Sequence, residues 1–337
     1  MPSSNLQNNK TISILRDAER GGYGVLAAIV YTVEHIVAKV RAAERKRSPL
    51  IIQVFPWAIT ASDGLLIRAA ADAANRASVP IAIHLDHAQD EELIRHAADT
   101  LPFDSIMVDM SHYEKAENLS KTAALVEYCH ARGIATEAEP GRIEGGEDGV
   151  ADTVDLESML TTPEEVEEFI QTGVDFLAPA FGNVHGEYGA RGPQLDFERL
   201  QSIRGFANAR DVRVVLHGTN GFTKDLMRQC IAAGVSKINV NKLTLESFQK
   251  HLESNASKLS LTKLLEEGMT EVQQATEEQM DICMSSGKAQ MIRVDGRLFG
   301  SKSLQGSVKH RHCNHHKVSS KRGSSASAQQ SSPTSSA

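Results

Sequence analysis

The segment IAIHLDHAQDEE, residues 81–92, ends an apolar run on two histidines with an aspartate between them. Its apolar start predicts a buried strand, so His84, Asp86 and His87 would lie within one turn of the strand end. Neutral imidazole binds divalent metals of the zinc type, and a neighbouring carboxylate can transfer a proton. The segment therefore predicts metal-binding or acid–base chemistry at the carboxyl end of a strand.

Polar residues also follow other apolar runs along the chain. They are Asp109, Glu137, Glu139, Asn183, His185, His217, Asn239 and Asn241. A single histidine at a strand end is more often a hydrogen-bonded structural residue. Three of them, His87, His185 and His217, at equivalent strand ends favour a zinc-type metal, because three protein ligands leave a position open for substrate.

Eight short apolar runs, separated by segments with helical spacing, predict the elements that would position these residues. The runs are YGVLAAIVY at 23, LIIQVF at 50, VPIAIHL at 79, DSIMVDM at 104, GIATEAE at 133, VDFLAPAF at 174, VRVVLHG at 212 and VSKINVN at 235. Repeated strand-then-helix units are typical of a parallel sheet. Eight of them favour an α/β fold, a (β/α)8 TIM barrel, over a doubly wound open sheet. In such a barrel the loops after the strands form one active face, so we expect the polar residues to converge.

Composition excludes several classes of partner. The 337-residue chain has a formal net charge of −7 and no basic stripe, so we expect no nucleic-acid partner. Its four cysteines are Cys129, Cys230, Cys283 and Cys313. None are closely spaced, which argues against a disulfide framework or a thiolate zinc site and favours a reducing, cytoplasmic setting. No window approaches the roughly 18 apolar residues of a membrane span, so we expect no membrane partner.

The amino-acid composition changes near the carboxyl end of the sequence. Residues 290–337 are rich in Ser, Lys and His and nearly free of large apolar side chains, which predicts a disordered tail. We therefore divide the chain into an N-terminal segment, residues 1–21, a barrel, residues 22–289, and the tail, residues 290–337.

Eight motifs make this sequence similar to one known family. They are HLDHA at 84, DSIMVDMSH at 104, EAEPGRIEGGEDG at 137, FGNVHGEYG at 181, QLDFERL at 194, VVLHGTNG at 214, GVSKINVN at 234 and SSGKA at 285. With them the chain resembles, from about Gly22 to Ala289, the class II, metal-dependent fructose-bisphosphate and tagatose-bisphosphate aldolases. The resemblance implies a (β/α)8 barrel that cleaves or forms a carbon–carbon bond in a ketose phosphate through a zinc-stabilised enediolate. The implied substrate is fructose 1,6-bisphosphate or a related sugar phosphate, and we expect a homodimer or homotetramer.

The resemblance also assigns roles to single residues. It implies that the metal ligands are His87, His185 and His217, with Glu139 and Asp109 at an alternative or second metal position. Asp86 falls where the family has its acid/base, and Glu147 where a loop carboxylate handles a carbon-bound proton. The implied cofactor is Zn²⁺ or another divalent cation, and a second metal or a monovalent cation is compatible with the pattern.

Substrate contacts are expected from the last two strand ends and from one loop. Asn239 matches the asparagine that holds the bound ketose, and the predicted set is Gly186, Gly218, Asn220, Gly221, Asn239, Asn241 and Lys242. The backbone amides of Gly218 and Gly221 could bind an anion, and Lys242 could supply a positive charge.

The sequence departs from the family at several phosphate-binding positions. These are Ile29, Pro56, Gly189, Asn220 and the pair Asn241 and Lys242. Pro56, Trp57 and Ile59 also predict an apolar second βα loop, so we expect fructose 1,6-bisphosphate to be cleaved poorly compared with a typical member. The alternative is a catalytically silent barrel with a binding or regulatory role, against which Asp86 and Glu147 argue.

Overall fold

The computed structural model describes residues 6–146 and 159–290. In this part of the chain eight parallel strands close into a barrel in sequence order, with the last strand paired to the first. The strands are β1 (Val25–Ile29), β2 (Leu50–Val54), β3 (Ile81–Ala88), β4 (Ser105–Val108), β5 (Ala135–Ala138), β6 (Phe176–Leu177), β7 (Arg213–Leu216) and β8 (Val235–Val240). The predicted (β/α)8 TIM barrel is confirmed. Glu147 and the expected tail beyond residue 290 lie outside the described residues.

Helices connect the strands around the barrel. They are α1 (Lys10–Gly21), α2 (Val33–Lys46), α3 (Pro56–Ser62), α4 (Leu65–Arg76), α5 (Glu91–Thr100), α6 (Lys115–His130), α7 (Pro163–Gln171), α8 (Phe197–Asn208), α9 (Lys224–Ala232), α10 (Lys242–Asn255) and α11 (Leu261–Ile282). The segment expected to be an apolar loop after β2 is helix α3. Pro56 begins this helix, because proline has no N–H to satisfy and its fixed φ suits a first turn. Ile59 turns into the core, whereas Trp57 stays exposed.

Strand β3 shows how the sequence sorts its side chains between two layers. Ile81, Ile83 and Leu85 pack in the core between the strands and the outer helices. Ala82 packs instead in the inner core, and His84 and Asp86 share its parity along the strand. Because successive strand residues point to opposite faces, the large apolar residues of β3 face the outer helices, and His84 and Asp86 face the inside of the barrel.

Helix α1 packs against the inner core at the amino ends of the strands. Ile12 and Leu15 join Val25 and Phe176 in that core. The Asn9 side chain donates to the carbonyl oxygens of Asp104 and Gly133 at 2.7 and 3.0 Å, in the turns that precede β4 and β5. This helix therefore covers the end of the barrel opposite to the strand ends that carry the polar residues.

One lysine is fully buried between α2 and α10. Lys39 donates from Nζ to Oγ1 of Thr244 at 2.7 Å, among Ala38, Leu245 and Phe248. Burial lowers the pKa of Lys39 to about 7, because the charged ammonium loses its hydration. An unfolded chain would restore a lysine pKa of about 10.4.

Because Lys39 is buried, we expect the free energy of unfolding to depend on pH. Lys39→Met should remove this contribution. Between pH 7 and pH 8.5 the unfolded chain keeps the Lys39 proton while the folded chain releases it, so the free energy of unfolding rises with pH. For the pKa of about 7, the rise between pH 6.5 and pH 8.5 is on the order of 2 kcal/mol. Denaturant titrations of both proteins at these pH values, at one fixed metal concentration, measure the difference. Parallel pH curves for the wild type and Lys39→Met would contradict it.

Candidate metal centre and active site

A bulge at the end of β3 brings two neighbouring side chains to the same site. Pairing between β3 and β4 shifts its register between Leu85 and Ala88, and His87 adopts a left-handed φ of 45°. A regular strand would point Asp86 and His87 to opposite faces. The bulge instead lets both line one pocket, and a strained backbone of this kind is typical of functional sites.

Three buried imidazoles meet beside this bulge. Nε2 of His87 lies 3.1 Å from Nδ1 of His217, and Nε2 of His185 lies 3.3 Å from the same atom. His87 comes from β3, His185 from the loop after β6, and His217 directly follows β7. The convergence expected from the sequence is thus present in the structure.

Carboxylates determine where two of these rings carry their protons. Nδ1 of His87 lies 2.7 Å from Asp109, and Nε2 of His217 lies 2.8 Å from Glu137. Because a carboxylate accepts and cannot donate, it holds the imidazole proton on the nitrogen that faces it. The lone pairs of the other nitrogens then face one another, an arrangement that repels unless a cation lies between them.

The donor set fits a zinc-type metal. The ligand atoms of His87, Glu139, His185 and His217 all lie within 4.8 Å of one another, and all four residues are buried. Zinc–nitrogen bonds of about 2.0–2.1 Å in a tetrahedron place two nitrogens roughly 3.3 Å apart, close to the separations found here. Oε2 of Glu139 is buried with no hydrogen-bond partner, so it is available to a cation.

The charges around the imidazoles favour a cation at the same point. Burial alone would lower the pKa of His87, but the charges of Asp86 and Asp109 and the hydrogen bond that His87 donates to Asp109 outweigh it, and the pKa rises to about 10. Burial, together with the charge of Asp109, raises the pKa of Glu139 to about 8. A proton can bridge two of the nitrogens, whereas a metal ion can bind all three and the carboxylate.

Asp109 and Glu139 have different places in this arrangement. Asp109 lies behind His87, and its other oxygen accepts from the N–H and hydroxyl of Ser111 at 3.1 and 2.7 Å. Glu139 lies among the ligand atoms and accepts the Ile143 N–H at 2.7 Å. The structure therefore brings Glu139 among the possible metal ligands and places Asp109 where it orients an imidazole.

Beneath the imidazoles a buried ion pair supports the site. Nζ of Lys237 lies 2.8 Å from Oε2 of Glu137, and it also donates to Oδ1 of Asn239 at 2.9 Å. Burial opposes ionisation of Glu137, but the charge of Lys237 and the hydrogen bond to His217 lower its pKa to about 2. Lys237 is thus committed to a structural ion pair and does not point to an open pocket as a Schiff-base lysine must.

Asp86 is held by two amides. Nε2 of Gln53 donates to Asp86 at 2.6 Å, and Nδ2 of Asn239 donates to both of its oxygens at 3.2 Å. Burial would raise the pKa of Asp86, yet the charge of His87 outweighs it and holds the pKa below its usual range. Gln53 is not among the residues predicted from the sequence. Its signal was a single polar residue in the otherwise apolar run LIIQVF.

A second group of possible metal ligands includes Asp86 itself. His84, Asp86 and Glu137 are buried with ligand atoms within 4.8 Å of one another. Nδ1 of His84 lies 2.8 Å from Ser105 Oγ, while its Nε2 has no hydrogen-bond partner. The ammonium of Lys237 already supplies a positive charge to this group through Glu137.

The predicted substrate-binding residues divide into two sets. Gly218, Asn220, Asn239 and Asn241 line the same pocket as Asp86 and the three imidazoles. Gly186 accepts a hydrogen bond from Asn220 at 3.1 Å, whereas Lys242 is exposed and forms an ion pair with Glu187. Gly221 is exposed with a φ of 73°. The structure therefore places Lys242 against a carboxylate and not among the pocket residues it describes.

Gly218 cannot be replaced without moving its neighbours. Its φ is 68°, and a Cβ atom there would lie 2.2 Å from the carbonyl oxygen of Val184. Val184 immediately precedes His185, and the Gly218 carbonyl accepts the Tyr188 hydroxyl at 2.7 Å. This close approach holds the His185 loop against the end of β7.

Within the described residues, no helix is both long and apolar enough to cross a membrane.

Comparison with known proteins agrees with this geometry. The family described as fructose-bisphosphate aldolase class-II matches residues 9–288. A protein of Coccidioides immitis (strain RS), provisionally named a fructose-bisphosphate aldolase, is 54% identical over 299 residues, which cover 87% of this chain and 99% of that protein. A fructose-bisphosphate aldolase of Streptococcus pyogenes serotype M1 is 34% identical over 290 residues, covering 81% and 96% of the two chains.

Among solved structures, one from Coccidioides immitis, described as a provisional fructose-1,6-bisphosphate aldolase, superposes with a TM-score of 0.82 at 56% identity. The superposition covers 84% of this chain and 99% of that one. The buried imidazole cluster, the barrel and the extent of these matches lead to one conclusion: the chain belongs to the class II fructose-bisphosphate aldolase family.

Proposed function

We propose that this protein is a metal-dependent aldolase that cleaves or forms a carbon–carbon bond in a ketose phosphate, fructose 1,6-bisphosphate or a related sugar. The observation that carries the proposal is the meeting of three imidazole nitrogens at 3.1 and 3.3 Å, with two of the rings oriented by carboxylates. His87, His185 and His217 would hold one divalent cation, Zn²⁺, with Glu139 as a further ligand. Family membership supports the aldolase activity and a sugar phosphate substrate.

The cation, when bound, would supply an electrophile that stabilises negative charge developing on the substrate oxygens. Asp86 would accept the hydroxyl proton whose loss starts carbon–carbon cleavage. It is suited to this because the amide donors of Gln53 and Asn239 fix its position and stabilise its ionised form. General-base catalysis requires this combination of ionisation and fixed geometry.

Further steps are assigned to two other residues. Asn239 would orient the ketose, since its side chain reaches Asp86 at 3.2 Å and lies 3.0 Å from Nε2 of His217. Glu147, which the family resemblance places in the carbon-proton step, would return a proton to the enediolate carbon. A catalytically silent barrel would need neither the ionised Asp86 nor its two amide donors.

Chelation separates the metal route from a lysine route. Removing divalent cations from the full chain should abolish cleavage of fructose 1,6-bisphosphate and related ketose phosphates, and one equivalent of Zn²⁺ should restore it. Borohydride added with substrate should trap no covalent adduct, because Lys237 is paired with Glu137. The assay measures release of dihydroxyacetone phosphate or its isomer. Full activity after chelation, or a borohydride-trapped lysine, would reject the proposal.

A further inference from the structure

One side of the pocket is apolar. Ile29 at the end of β1 and Phe55 directly after β2 line it together with the imidazoles. The Phe55 ring centroid lies 6.3 Å from that of His87, so this apolar surface begins directly beside the metal centre. A substrate bound at the imidazoles would lie within reach of this surface.

Aromatic rings continue this surface outward. The Tyr31 ring lies 6.4 Å from Phe55 and 5.9 Å from Trp57, measured between centroids. Phe55 is buried, Tyr31 is half-buried and Trp57 is 46% exposed. A contiguous apolar surface that extends a pocket wall is typical of a ligand-binding site.

The remaining wall is polar, and its described residues carry no fixed positive charge. Thr219, Asn220 and Asn241 line it at the ends of β7 and β8, and no lysine or arginine is among the described residues of the pocket. Lys242 is paired with Glu187, and Lys237 with Glu137. A phosphate is bound most strongly by charge-assisted hydrogen bonds, and the apolar wall offers none.

We infer that the aldehyde half of the substrate is apolar and uncharged at the end remote from the new bond, and that Phe55, Tyr31 and Trp57 bind it. The inference rests on the proposed aldolase function and specifies its substrate class. An alkyl or aryl group buries apolar surface against these rings, whereas a phosphate there would lose water without gaining a cation. The polar wall would then bind the ketone half of the substrate.

Aldol condensation with dihydroxyacetone phosphate tests this directly. A carbon of the donor loses a proton and bonds to the aldehyde carbon, whose oxygen gains a proton, so no oxidant or reductant is needed. The zinc-loaded full chain is assayed with phenylacetaldehyde, glyceraldehyde and glyceraldehyde 3-phosphate. We expect kcat/KM for phenylacetaldehyde to exceed that for glyceraldehyde 3-phosphate by at least about tenfold, the usual worth of a fitted apolar group.

Two variants test whether Trp57 causes the preference for an apolar aldehyde. Trp57→Ala should lower kcat/KM for phenylacetaldehyde by about tenfold and leave that for glyceraldehyde within about twofold. Phe206→Ala, which removes a similarly exposed aromatic ring from α8, should change neither. Preference of the wild type for glyceraldehyde 3-phosphate, or equal losses for both aldehydes in Trp57→Ala, would overturn the inference.

Proton exchange on the donor alone distinguishes failure of the apolar-acceptor inference from failure of the proposed aldolase function. Exchange of a carbon-bound proton of dihydroxyacetone phosphate with deuterated water needs no acceptor aldehyde. Exchange with a preference for glyceraldehyde 3-phosphate refutes only the apolar acceptor. No exchange refutes the aldolase function, and the inference with it.

Discussion

Alanine at His185 is expected to abolish binding of the divalent cation and to lower turnover by at least about three orders of magnitude. The ring contributes one of three converging nitrogens, at 3.3 Å from His217, and a bound metal supplies several kcal/mol of charge stabilisation. His87→Ala and His217→Ala should have the same effect. In those variants Asp109 or Glu137 also loses the imidazole it orients.

The matched control is His96→Ala. This histidine is exposed on α5 and bonds only to Thr100 among the interactions of the described residues. Metal content and turnover are measured on the full chain, so any cation held by the histidines of the tail is common to every variant. Stoichiometric metal retained at this site in all three ligand variants would remove these histidines from the proposed centre.

Asp86→Ala is expected to keep the cation and lower turnover by roughly two to four orders of magnitude, the usual worth of a positioned acid/base group. The reason is that Asp86 lines the pocket but is not one of the four converging ligands, so its loss removes proton transfer and leaves the metal donors in place. Steady-state kinetics and metal analysis on the same preparation measure both quantities.

Glu127→Ala serves as the control for loss of a carboxylate, since Glu127 is exposed on α6. It should match the wild type in both measurements. Turnover close to that of the wild type in Asp86→Ala, with unchanged metal content, would exclude Asp86 from the reaction. Loss of the cation together with turnover would instead make Asp86 part of the metal site.

The barrel could be predicted from sequence because each strand is a short apolar run and each helix has its own spacing. His185 and His217 follow β6 and β7, where their loops open on the active face, so their positions could be predicted from strand ends alone. Glu137, which also follows an apolar run, lies 2.8 Å from Lys237 in a buried ion pair.

The bulge could not be predicted in this way. Alternation along β3 places His87 on the face opposite Asp86, and only the left-handed φ of 45° and the register shift bring them together. Nothing in the residue types requires this backbone, because it depends on pairing with β4. Similarly, Gln53 acquires a role only because the register of β2 and β3 pairs it with His84, two residues before Asp86.

The hydrogen-bond and ion-pair partners of two predicted site residues also could not be predicted from the sequence. Lys242 was expected to supply charge to a substrate, but Glu187 from the His185 loop lies against it. Asp109 was expected as a possible ligand and lies behind His87 as its hydrogen-bond partner. Both outcomes depend on distances between loops that are far apart in sequence, which spacing within one motif does not encode.

One cation held by three imidazoles is the central feature of the proposed site, and anomalous X-ray diffraction at the zinc edge tests it directly. Crystals of the full chain prepared with Zn²⁺ should show an anomalous peak bonded to Nε2 of His87, Nε2 of His185 and Nδ1 of His217, at about 2.0–2.1 Å from each. A zinc-loaded, active protein with no anomalous density between these three nitrogens would contradict it.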